Sequence, residues 1–531
     1  MKNISFRSVF LHSIFSIVGF AFSLTTQAYD YTDDQPYSQT PPHGLNPNQV
    51  PMFVSIGFDD NGVSGLEGSG GTGGLTWFLN YMRTKKNPAG TGNLLTYDST
   101  PARVTFFNTS SYQEEWKSDD PVYIKRAWHT AMTAGHEIGN HTVDHSHGSN
   151  FTLTQWLAEI GNTQVFLSKP FDPNEQPGNS SSTSGMGADI AQLTGFRTPF
   201  LEYNDATFKA LKQKGLTYDT SIEEGWHHLL DGTNYPWPYT LNSGSPGNQS
   251  MVDDGFPNKT PISSHAGLWE LGVTPLIIPP DNITADYGID SSIRDKVKIN
   301  MPWFDLAGGK ITAFDWNIWA QAKLNKAETL ATLKYTLDLR LQNGNRAPFM
   351  LGAHIGNFSS KKADLANQIS VRERQEVLEA FITYALSKPD VRIVPFNSII
   401  NWMRNPSPLD CGTSCEPTTT PDITPQDPWE AIVSLGAAIN DLQEYSDTLP
   451  LTYFAGNTWQ EQLSSKDQIS IDLLAAANDC WNGKPDLAII KLNLVLSYLD
   501  QKMLAGSEQT SNKQKIHGYL PQLATLVGAT F

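Results

Sequence analysis

The sequence predicts an α/β fold with a parallel sheet, followed by a small all-α domain. The first observation behind this prediction is the alternation of strand and helix patterns through residues 52–395, which is typical of a parallel sheet. The second is the helical spacing of apolar residues after position 428, as at Ile432, Leu435 and Ile439. The third is the length of 531 residues, which favours two or more domains.

The strand and helix patterns follow in order from the first apolar run. Residues 52–58 predict a buried strand that runs directly into Asp59 and Asp60. Further strands are expected at residues 102–107, 137–140, 267–273, 311–314, 349–353 and 391–395. Helices are expected at residues 75–82, 123–134, 153–166, 327–342 and 371–387. Because active sites of such sheets gather at the carboxyl ends of strands, we expect the two aspartates, His141 and His354 to converge.

The amino terminus has the pattern of a secretory signal peptide over residues 1–28. Lys2 and Arg7 provide a positive start, an apolar run follows, and small residues end the segment at Ala28. A membrane anchor and a buried helix are the alternatives. Since no later segment is apolar for long enough to span a bilayer, we expect a secreted or periplasmic protein.

A segment rich in Pro, Thr and Ser at residues 406–428 predicts a linker. It would separate an α/β domain at residues 29–405 from a helical domain of unknown role at residues 429–531. Cys411 and Cys415 lie close together in this segment and could form a small disulfide, which would leave Cys480 over. The alternative is three unpaired thiols.

Two features argue against a nucleic-acid or nucleotide ligand. The formal net charge of −17 is the opposite of the basic surface that offsets phosphate. Gly68, Gly70 and Gly73 fit the pattern G-x-G-x-x-G, but residues 61–67 separate them from the strand end where a dinucleotide site would begin. We therefore interpret the glycines as a flexible loop.

A pair of histidines is the first candidate for metal binding. His141 and His145 are four residues apart, so on a helix both would share one face and could reach one ion. Solvated or merely hydrogen-bonded histidines are the alternative. The neighbouring His136 and His147 are interpreted as ordinary polar side chains.

Adjacent carboxylates at the end of an apolar strand are the second candidate. Burying Asp59 and Asp60 is costly unless a metal or a cation pairs with them. Local turning at the strand end could let one carboxylate bind a metal while the other faces a water. An exposed acidic turn is the alternative, because Asn61 and Gly62 follow. Two imidazoles and one carboxylate around an ion leave a position open for water, as in catalytic sites.

Two further segments carry single candidate residues. Arg197 could pair with a carboxylate and orient it, and Pro199 fixes the backbone so that the Phe200 N–H is placed to donate to an oxyanion. A surface arginine in a turn is the alternative. The apolar strand before His354 delivers one imidazole at its end, which suits a general acid, although such a histidine is often only hydrogen-bonded.

Taken in this order, the motifs resemble those of the polysaccharide deacetylases, the NodB-homology or carbohydrate esterase family 4 enzymes. The motifs are Phe58-Asp59-Asp60, the run from His141 to His145, Arg197-Thr198-Pro199-Phe200 and the strand that ends at His354. The segments at residues 345–348 and 401–403 resemble the chitin-deacetylase-like members. The resemblance covers roughly residues 51–406 and implies a distorted (β/α) barrel, with residues 29–405 as the catalytic domain.

The resemblance also implies a function and a set of roles. The function would be metal-dependent removal of N-acetyl groups from chitin or a related polysaccharide. Two alternatives are a non-catalytic polysaccharide- or envelope-binding protein and a deacetylase of peptidoglycan or other acylated molecules. The implied metal is divalent, most often Zn²⁺. The implied residues are Asp60, His141 and His145 for the metal, Asp59 as general base, Arg197 as its partner, Phe200 N–H as oxyanion donor and His354 as general acid.

The sequence departs from the family pattern at a few positions. Gly57 stands where a threonine is usual, and Gly352 and Ala353 are small where the family places a leucine as the acetyl-pocket wall. Asp315-Trp316 is the candidate for the aspartate that tunes the catalytic histidine. The candidates for sugar-stacking walls are Trp226, Trp269, Trp303 and Trp316, and burial in the core is the default alternative for any one of them.

Overall fold

A computed structural model describes residues 31–115, 118–256, 259–361, 369–410, 428–481 and 483–526. The predicted signal peptide, Cys411, Cys415 and residues 411–427 of the predicted linker lie outside the described residues. No helix within these ranges is both long and apolar enough to cross a membrane.

The α/β part is built on one curled sheet. Its strands, with a separate pair, are β1 Met52–Asp60, β2 Thr105–Asn108, β3 Glu137–Asn140, β4 Gly195–Phe196, β5 Tyr218–Asp219, β6 Tyr239–Thr240, β7 Trp269–Glu270, β8 Leu276–Ile277, β9 Lys310–Ile311, β10 Phe349–His354 and β11 Val391–Ile393. The main sheet runs β10-β1-β2-β3-β4-β5-β7-β6, with β11 beside the start of β1, and β8 pairs with β9. In the main sheet all neighbours are parallel except β6 and β7. The predicted α/β class and distorted barrel are confirmed.

Helices surround this sheet. Helices also make up the described residues of the carboxyl-terminal part. They are α1 Gly74–Met82, α2 Pro121–Thr133, α3 Leu153–Leu167, α4 Asp205–Gln213, α5 Pro246–Asp253, α6 Ile293–Asn300, α7 Lys326–Asn343, α8 Val371–Leu386, α9 Phe396–Arg404, α10 Pro428–Thr448, α11 Trp459–Trp481, α12 Pro485–Lys502 and α13 Ser507–Leu526. Capping boxes begin several of them. At α8, the Ser370 side chain accepts from the Glu373 N–H, and the Glu373 carboxylate accepts from the Ser370 N–H.

Two predicted strands are much shorter than expected. The prediction for residues 267–273 shrinks to β7, because Gly267 has a φ of +73°, which lies outside the strand region, and the strand begins at Trp269. The prediction for residues 311–314 shrinks to β9, after which the chain turns so that Phe314 forms a bridge with Gly352.

The first strand lies at the centre of the core and is buried on both faces. Val54, Ile56 and Phe58 pack into the cluster beneath the helices, whereas Phe53 faces a second cluster that includes Trp402. A parallel strand covered on both sides reads as a continuous apolar run, as this one does. Its carboxyl end therefore carries the two aspartates out of the core at the rim of the sheet.

The carboxyl-terminal helices form a separate apolar core that touches the α/β part. Ile439, Leu473, Leu492 and Ile516 are fully buried in it. Leu66, from the glycine-rich loop of the α/β part, is buried in the same cluster. The segment that precedes the glycines therefore contacts the helical part, a contact that the sequence did not predict.

Candidate active site

Parallel register brings the candidate residues to one edge of the sheet. Asp59 of β1 lies opposite His354 of β10, and Asp60 lies opposite Asn108 of β2. Asn108 in turn pairs with Asn140, the last residue of β3, and His141 follows directly. The structure thus brings the carboxyl ends of β1, β3 and β10 together around one cavity.

The backbone turns at the last residue of β1 and so separates the carboxylates of Asp59 and Asp60. Asp60 and Asn61 both have left-handed backbone angles, with φ values of 67° and 60°. Such conformations cost free energy in residues other than glycine and persist where the surroundings fix them. Here the Asn61 amide donates to Phe58 O and Asn108 Oδ1, each at 2.8 Å. The backbone carbonyl oxygen of Asn61 accepts the Trp128 indole N–H at 2.9 Å.

The prediction that His141 and His145 lie on a helix is wrong, because the residues after β3 form an irregular loop. Thr142 and His145 have positive φ values of 66° and 55°. The Asn140 side chain accepts from Thr142 N–H at 3.0 Å, and Thr142 Oγ1 accepts from His145 N–H at 3.2 Å. Such side-chain bonds to the backbone compete with helix formation. Two turns, rather than one helical repeat, bring both imidazoles to one place.

Asp60, His141 and His145 form a cluster with the geometry of a metal site. One ligand atom from each residue lies within 4.8 Å of the other two. Asp60 Oδ1 is 3.3 Å from His145 Nε2 and 3.7 Å from His141 Nε2. One carboxylate and two imidazoles are ligands that a divalent ion such as Zn²⁺ accepts, and they leave coordination positions open.

The hydrogen bond of His141 and the lowered pKa of His145 favour the neutral imidazoles that a metal ion binds. His141 Nδ1 donates to the carbonyl oxygen of Arg197 at 2.8 Å, so in the neutral ring the lone pair lies on Nε2. That Nε2 atom is buried and has no hydrogen-bond partner among the described residues. Burial, followed by the proximity of His141, lowers the pKa of the His145 imidazole to about 4, which also favours the neutral ligand form.

Asp59 pairs with a cation rather than with the histidines. Its Oδ1 accepts from Arg197 Nη1 at 2.9 Å, and both side chains are almost completely buried. The Arg197 guanidinium lies 4.5 Å from the centre of the Phe107 ring and donates from Nε to Thr220 O. A Cβ atom at Gly57 would lie 2.7 Å from Arg197 Nη1. The glycine at position 57 therefore provides the space that the guanidinium occupies.

His354 is hydrogen-bonded to Asp315, the residue that the sequence offered as the aspartate that tunes the catalytic histidine. His354 Nδ1 lies 2.8 Å from Asp315 Oδ1. The other carboxylate oxygen, Oδ2, accepts from the backbone N–H of His354 and from the side-chain amide of Asn357. Burial lowers the pKa of the His354 imidazole, but the charge and hydrogen bond of Asp315 outweigh it and raise the pKa to about 9. The imidazole therefore carries a proton at neutral pH.

Asp59, Asp60, His141, His145 and His354 line a cavity of about 530 Å³, a size ordinary for small-ligand sites. Phe200 also lines it, at a turn where its φ is 57°. The exposed ring of His147 stacks on Phe200, and the imidazole pairs with Glu202 at 2.9 Å, so this histidine borders the site as a polar side chain. His136 is buried away from the cavity, where Nδ1 accepts from Val104 N–H.

The tryptophan candidates separate into different groups. Trp316 lines the cavity and is half exposed, as a sugar-stacking wall would be. Trp269 is buried and donates to Asp33, so this candidate was wrong. Trp226 and Trp303 are not among the residues that line the cavity.

Other lining residues had no motif by which the sequence could reveal them. Glu223 and Thr312 contribute polar atoms from two different loops. Phe314 contributes a ring that fills the space beside Gly352, where an added Cβ would lie 2.3 Å from the ring. The small residue at position 352 therefore makes room for an aromatic wall supplied by another segment.

The fold and the site together define an α/β protein with an Asp/His/His cluster that could hold a metal ion. The sequence profile described as polysaccharide deacetylase matches residues 93–177, which include His141 and His145. This match confirms the predicted resemblance to the polysaccharide deacetylases and supports a deacetylase. No curated protein matches the chain.

Several solved structures are similar to this one. The family 4 carbohydrate esterase from Streptomyces lividans, in complex with acetate, has 21% identity over 32% of this chain and 63% of its own, with a TM-score of 0.20. The peptidoglycan deacetylase PdaC from Bacillus subtilis has 12% identity over 64% of this chain and 100% of its own, with a TM-score of 0.22. The 4-alpha-glucanotransferase from Thermococcus litoralis has 9% identity over 90% of this chain and 60% of its own, with a TM-score of 0.33. At these scores the likenesses carry no argument about activity.

Proposed function

We propose that this protein is a zinc-dependent hydrolase that removes N-acetyl groups from chitin or a related N-acetylated polysaccharide. The observation that carries the proposal is the arrangement around one cavity. The cluster of Asp60, His141 and His145 shares this cavity with Asp59, which pairs with Arg197, and with His354, which pairs with Asp315.

The residues around the cluster fit amide hydrolysis. When bound, a divalent ion supplies a Lewis acid that activates water and polarises the acyl carbonyl. Asp59, oriented by Arg197, accepts the proton of the attacking water. The Phe200 N–H donates to the oxygen on which negative charge develops. His354 gives its proton to the amine as the C–N bond breaks, and acetate and the free amine leave.

The proposed substrate follows from the family and the cavity. Polysaccharide deacetylases act on acyl groups of sugar polymers, and the half-exposed Trp316 provides an aromatic surface for a sugar ring. We further propose that the chain is exported by its amino-terminal segment, since its polymeric substrate would lie outside the cytoplasm. The helical part would then be an appendage of the catalytic domain.

Acetate release tests the activity. Wild-type protein would be incubated with N-acetylglucosamine oligomers, with peptidoglycan fragments and with phenyl acetate, each with zinc and with a chelator. We expect zinc-dependent acetate release that is greatest from the N-acetylglucosamine oligomers. Preference for peptidoglycan would support the alternative substrate. Binding to the oligomers without acetate release from any substrate would support the non-catalytic alternative and refute the proposal.

Paired variants test the roles of the two adjacent aspartates. Asp60→Asn should lose zinc, measured as bound metal per chain, because it removes the carboxylate ligand. Asp59→Asn should keep the zinc but lose about 10²- to 10⁴-fold in kcat, the usual contribution of a general base. Asp286→Asn, at an exposed acid in a short 3-10 helix, is the matched control and should change neither quantity. If Asp59→Asn lost the metal and Asp60→Asn kept it, the assigned roles would be reversed.

A further inference from the structure

One wall of the cavity carries an ion pair that the proposed chemistry does not use. Glu223 lines the cavity, and its Oε2 lies 3.2 Å from Lys259 Nζ. The two side chains are 19% and 10% exposed, so the pair is largely withdrawn from water but still reaches the cavity. Glu223 follows β5 and forms an isolated bridge with Val273, whereas Lys259 follows α5, and neither residue belongs to the family motifs.

Neighbouring groups fix the orientation of the Glu223 carboxylate. Thr312 Oγ1, which also lines the cavity, lies 3.5 Å from Oε1. Behind the carboxylate, Lys259 Nζ lies 3.4 Å from Leu201 O and 4.6 Å from the centre of the Tyr203 ring. The carboxylate is therefore pre-organised, which lowers the entropic cost of binding a ligand group.

A role in stability alone does not account for this pair. Ion pairs that are partly withdrawn from water gain little, because desolvation of both charges offsets their attraction. A role in the proton transfers does not account for it either, since Asp59 and His354 have their own partners in Arg197 and Asp315. What is left is the surface that the carboxylate presents to the cavity.

The chemistry of that surface favours a neutral hydroxyl group. A carboxylate has about four acceptor positions, so Thr312 and Lys259 leave acceptor capacity for a ligand. Because the Lys259 ammonium already balances the charge, an ammonium group on the ligand gains less than it would from an isolated carboxylate. Trp316 in the same cavity offers a ring for the apolar face of a sugar.

We propose that Glu223 binds a hydroxyl group of the sugar that carries the acyl group, and that it thereby makes the site select carbohydrates over small acyl compounds. The inference rests on the proposed hydrolase function and adds a specificity-determining residue to it. Lys259 acts as a positioning residue, because it touches the carboxylate and not the substrate.

The test compares two substrates in the same enzyme. For wild type, Glu223→Ala and Glu223→Gln, kcat and KM would be measured with an N-acetylglucosamine oligomer and with phenyl acetate, which has no hydroxyl group. For Glu223→Ala we expect the ratio of kcat/KM between oligomer and ester to fall about 10- to 100-fold, the effect of losing one hydrogen bond to a charged group. The fall should be mainly in KM for the oligomer. Glu223→Gln should restore part of the ratio, because its amide oxygen still accepts.

A second variant tests the charge balance. Lys259→Met should leave Glu223 uncompensated and shift preference toward oligomers that already contain free amines. Glu376→Ala, which removes an exposed ion pair with Lys326 on the outer helices, is the control and should leave both preferences unchanged.

The outcomes separate the inference from the function on which it rests. A ratio that stays at the wild-type value in Glu223→Ala, or equal losses on both substrates, would overturn the role of Glu223. Absence of hydrolysis by the zinc-loaded wild type with either substrate would instead overturn the proposed function. A folding defect would be detected by the melting temperature, and in that case the Glu223→Gln ratio decides.

Discussion

Replacing Asp315 by asparagine should mainly change the pH dependence of the reaction. Asp315 accepts from the ring and the backbone of His354, and its charge is the main reason that the imidazole pKa is raised to about 9. An asparagine has nearly the same shape but no charge. Without the charge, only the smaller effects of Asp60 and Asp59 oppose the burial of the ring, and the pKa should fall to about 6.5.

The magnitude follows from the fraction of His354 that carries a proton. At about pH 8, an imidazole with a pKa of 9 is roughly nine-tenths protonated, whereas one with a pKa of 6.5 is about 3% protonated. If the protonated ring is the general acid, kcat/KM at that pH should fall about 30-fold. The alkaline limb of the pH–rate profile should move down by about 2 pH units or more.

The same change should alter stability, with a sign set by the raised pKa. A folded-state pKa above the unfolded value stabilises the protein fully below about pH 6.5, and this contribution is lost as the pH rises through about 9. The free energy of unfolding of Asp315→Asn should therefore be lower than that of wild type by roughly 3 kcal/mol below pH 6.5, with a smaller difference at high pH.

The assay is kcat/KM from pH 5 to pH 10 for wild type and Asp315→Asn, with urea denaturation at both ends of the range. Asp338→Asn is the control, because Asp338 is a largely buried carboxylate bonded to Tyr287 and Tyr384 and does not line the cavity. An unchanged alkaline limb in Asp315→Asn would refute the assignment of that limb to His354. A uniform loss at every pH would show that Asp315 acts on folding and not on the acid.

Two further predictions concern a glycine and a cysteine. Gly57→Ala should lower kcat about 10- to 100-fold, because the added methyl group displaces the Arg197 guanidinium from Asp59. Gly518→Ala, at an open position, is the control and should not lower kcat. Equal kcat values for Gly57→Ala and wild type would contradict the crowding. Cys480 should react with a thiol reagent only after unfolding, because burial, with a smaller effect of Asp479, raises the pKa of its thiol to about 12; rapid labelling that Cys480→Ser abolishes would contradict this.

Much of the architecture could be predicted from periodicity alone. β1 and β10 coincide closely with predicted segments, because long apolar runs that end in polar residues are strong signals. The two-residue strands β4, β5 and β6 carry no such signal, since their place in the sheet depends on neighbours that are distant in sequence. Tertiary contacts, and not local preference, decide such short strands.

The residues of the candidate site also divide into those that the sequence could predict and those that it could not. The motifs revealed the residues at the ends of long strands, and the order of those motifs in the chain gave their grouping. The conformation around His141 and His145 was predicted wrongly, because spacing alone does not distinguish a helical turn from a loop held by Asn140 and Thr142 side chains. Glu223 was missed because its function depends on Lys259 and Thr312, which only the folded chain brings beside it.

The adjacent aspartates show why neighbouring residues of one type can have different chemistry. Asp59 is the last residue of β1 with ordinary strand geometry, and its carboxylate meets Arg197. At Asp60 the backbone turns into the left-handed region, and its carboxylate meets the two imidazoles. Without that turn, strand geometry would send the two side chains to opposite faces of the sheet. The conformation that Asn61 and Trp128 hold in place therefore brings both carboxylates to one cavity while giving each a separate partner.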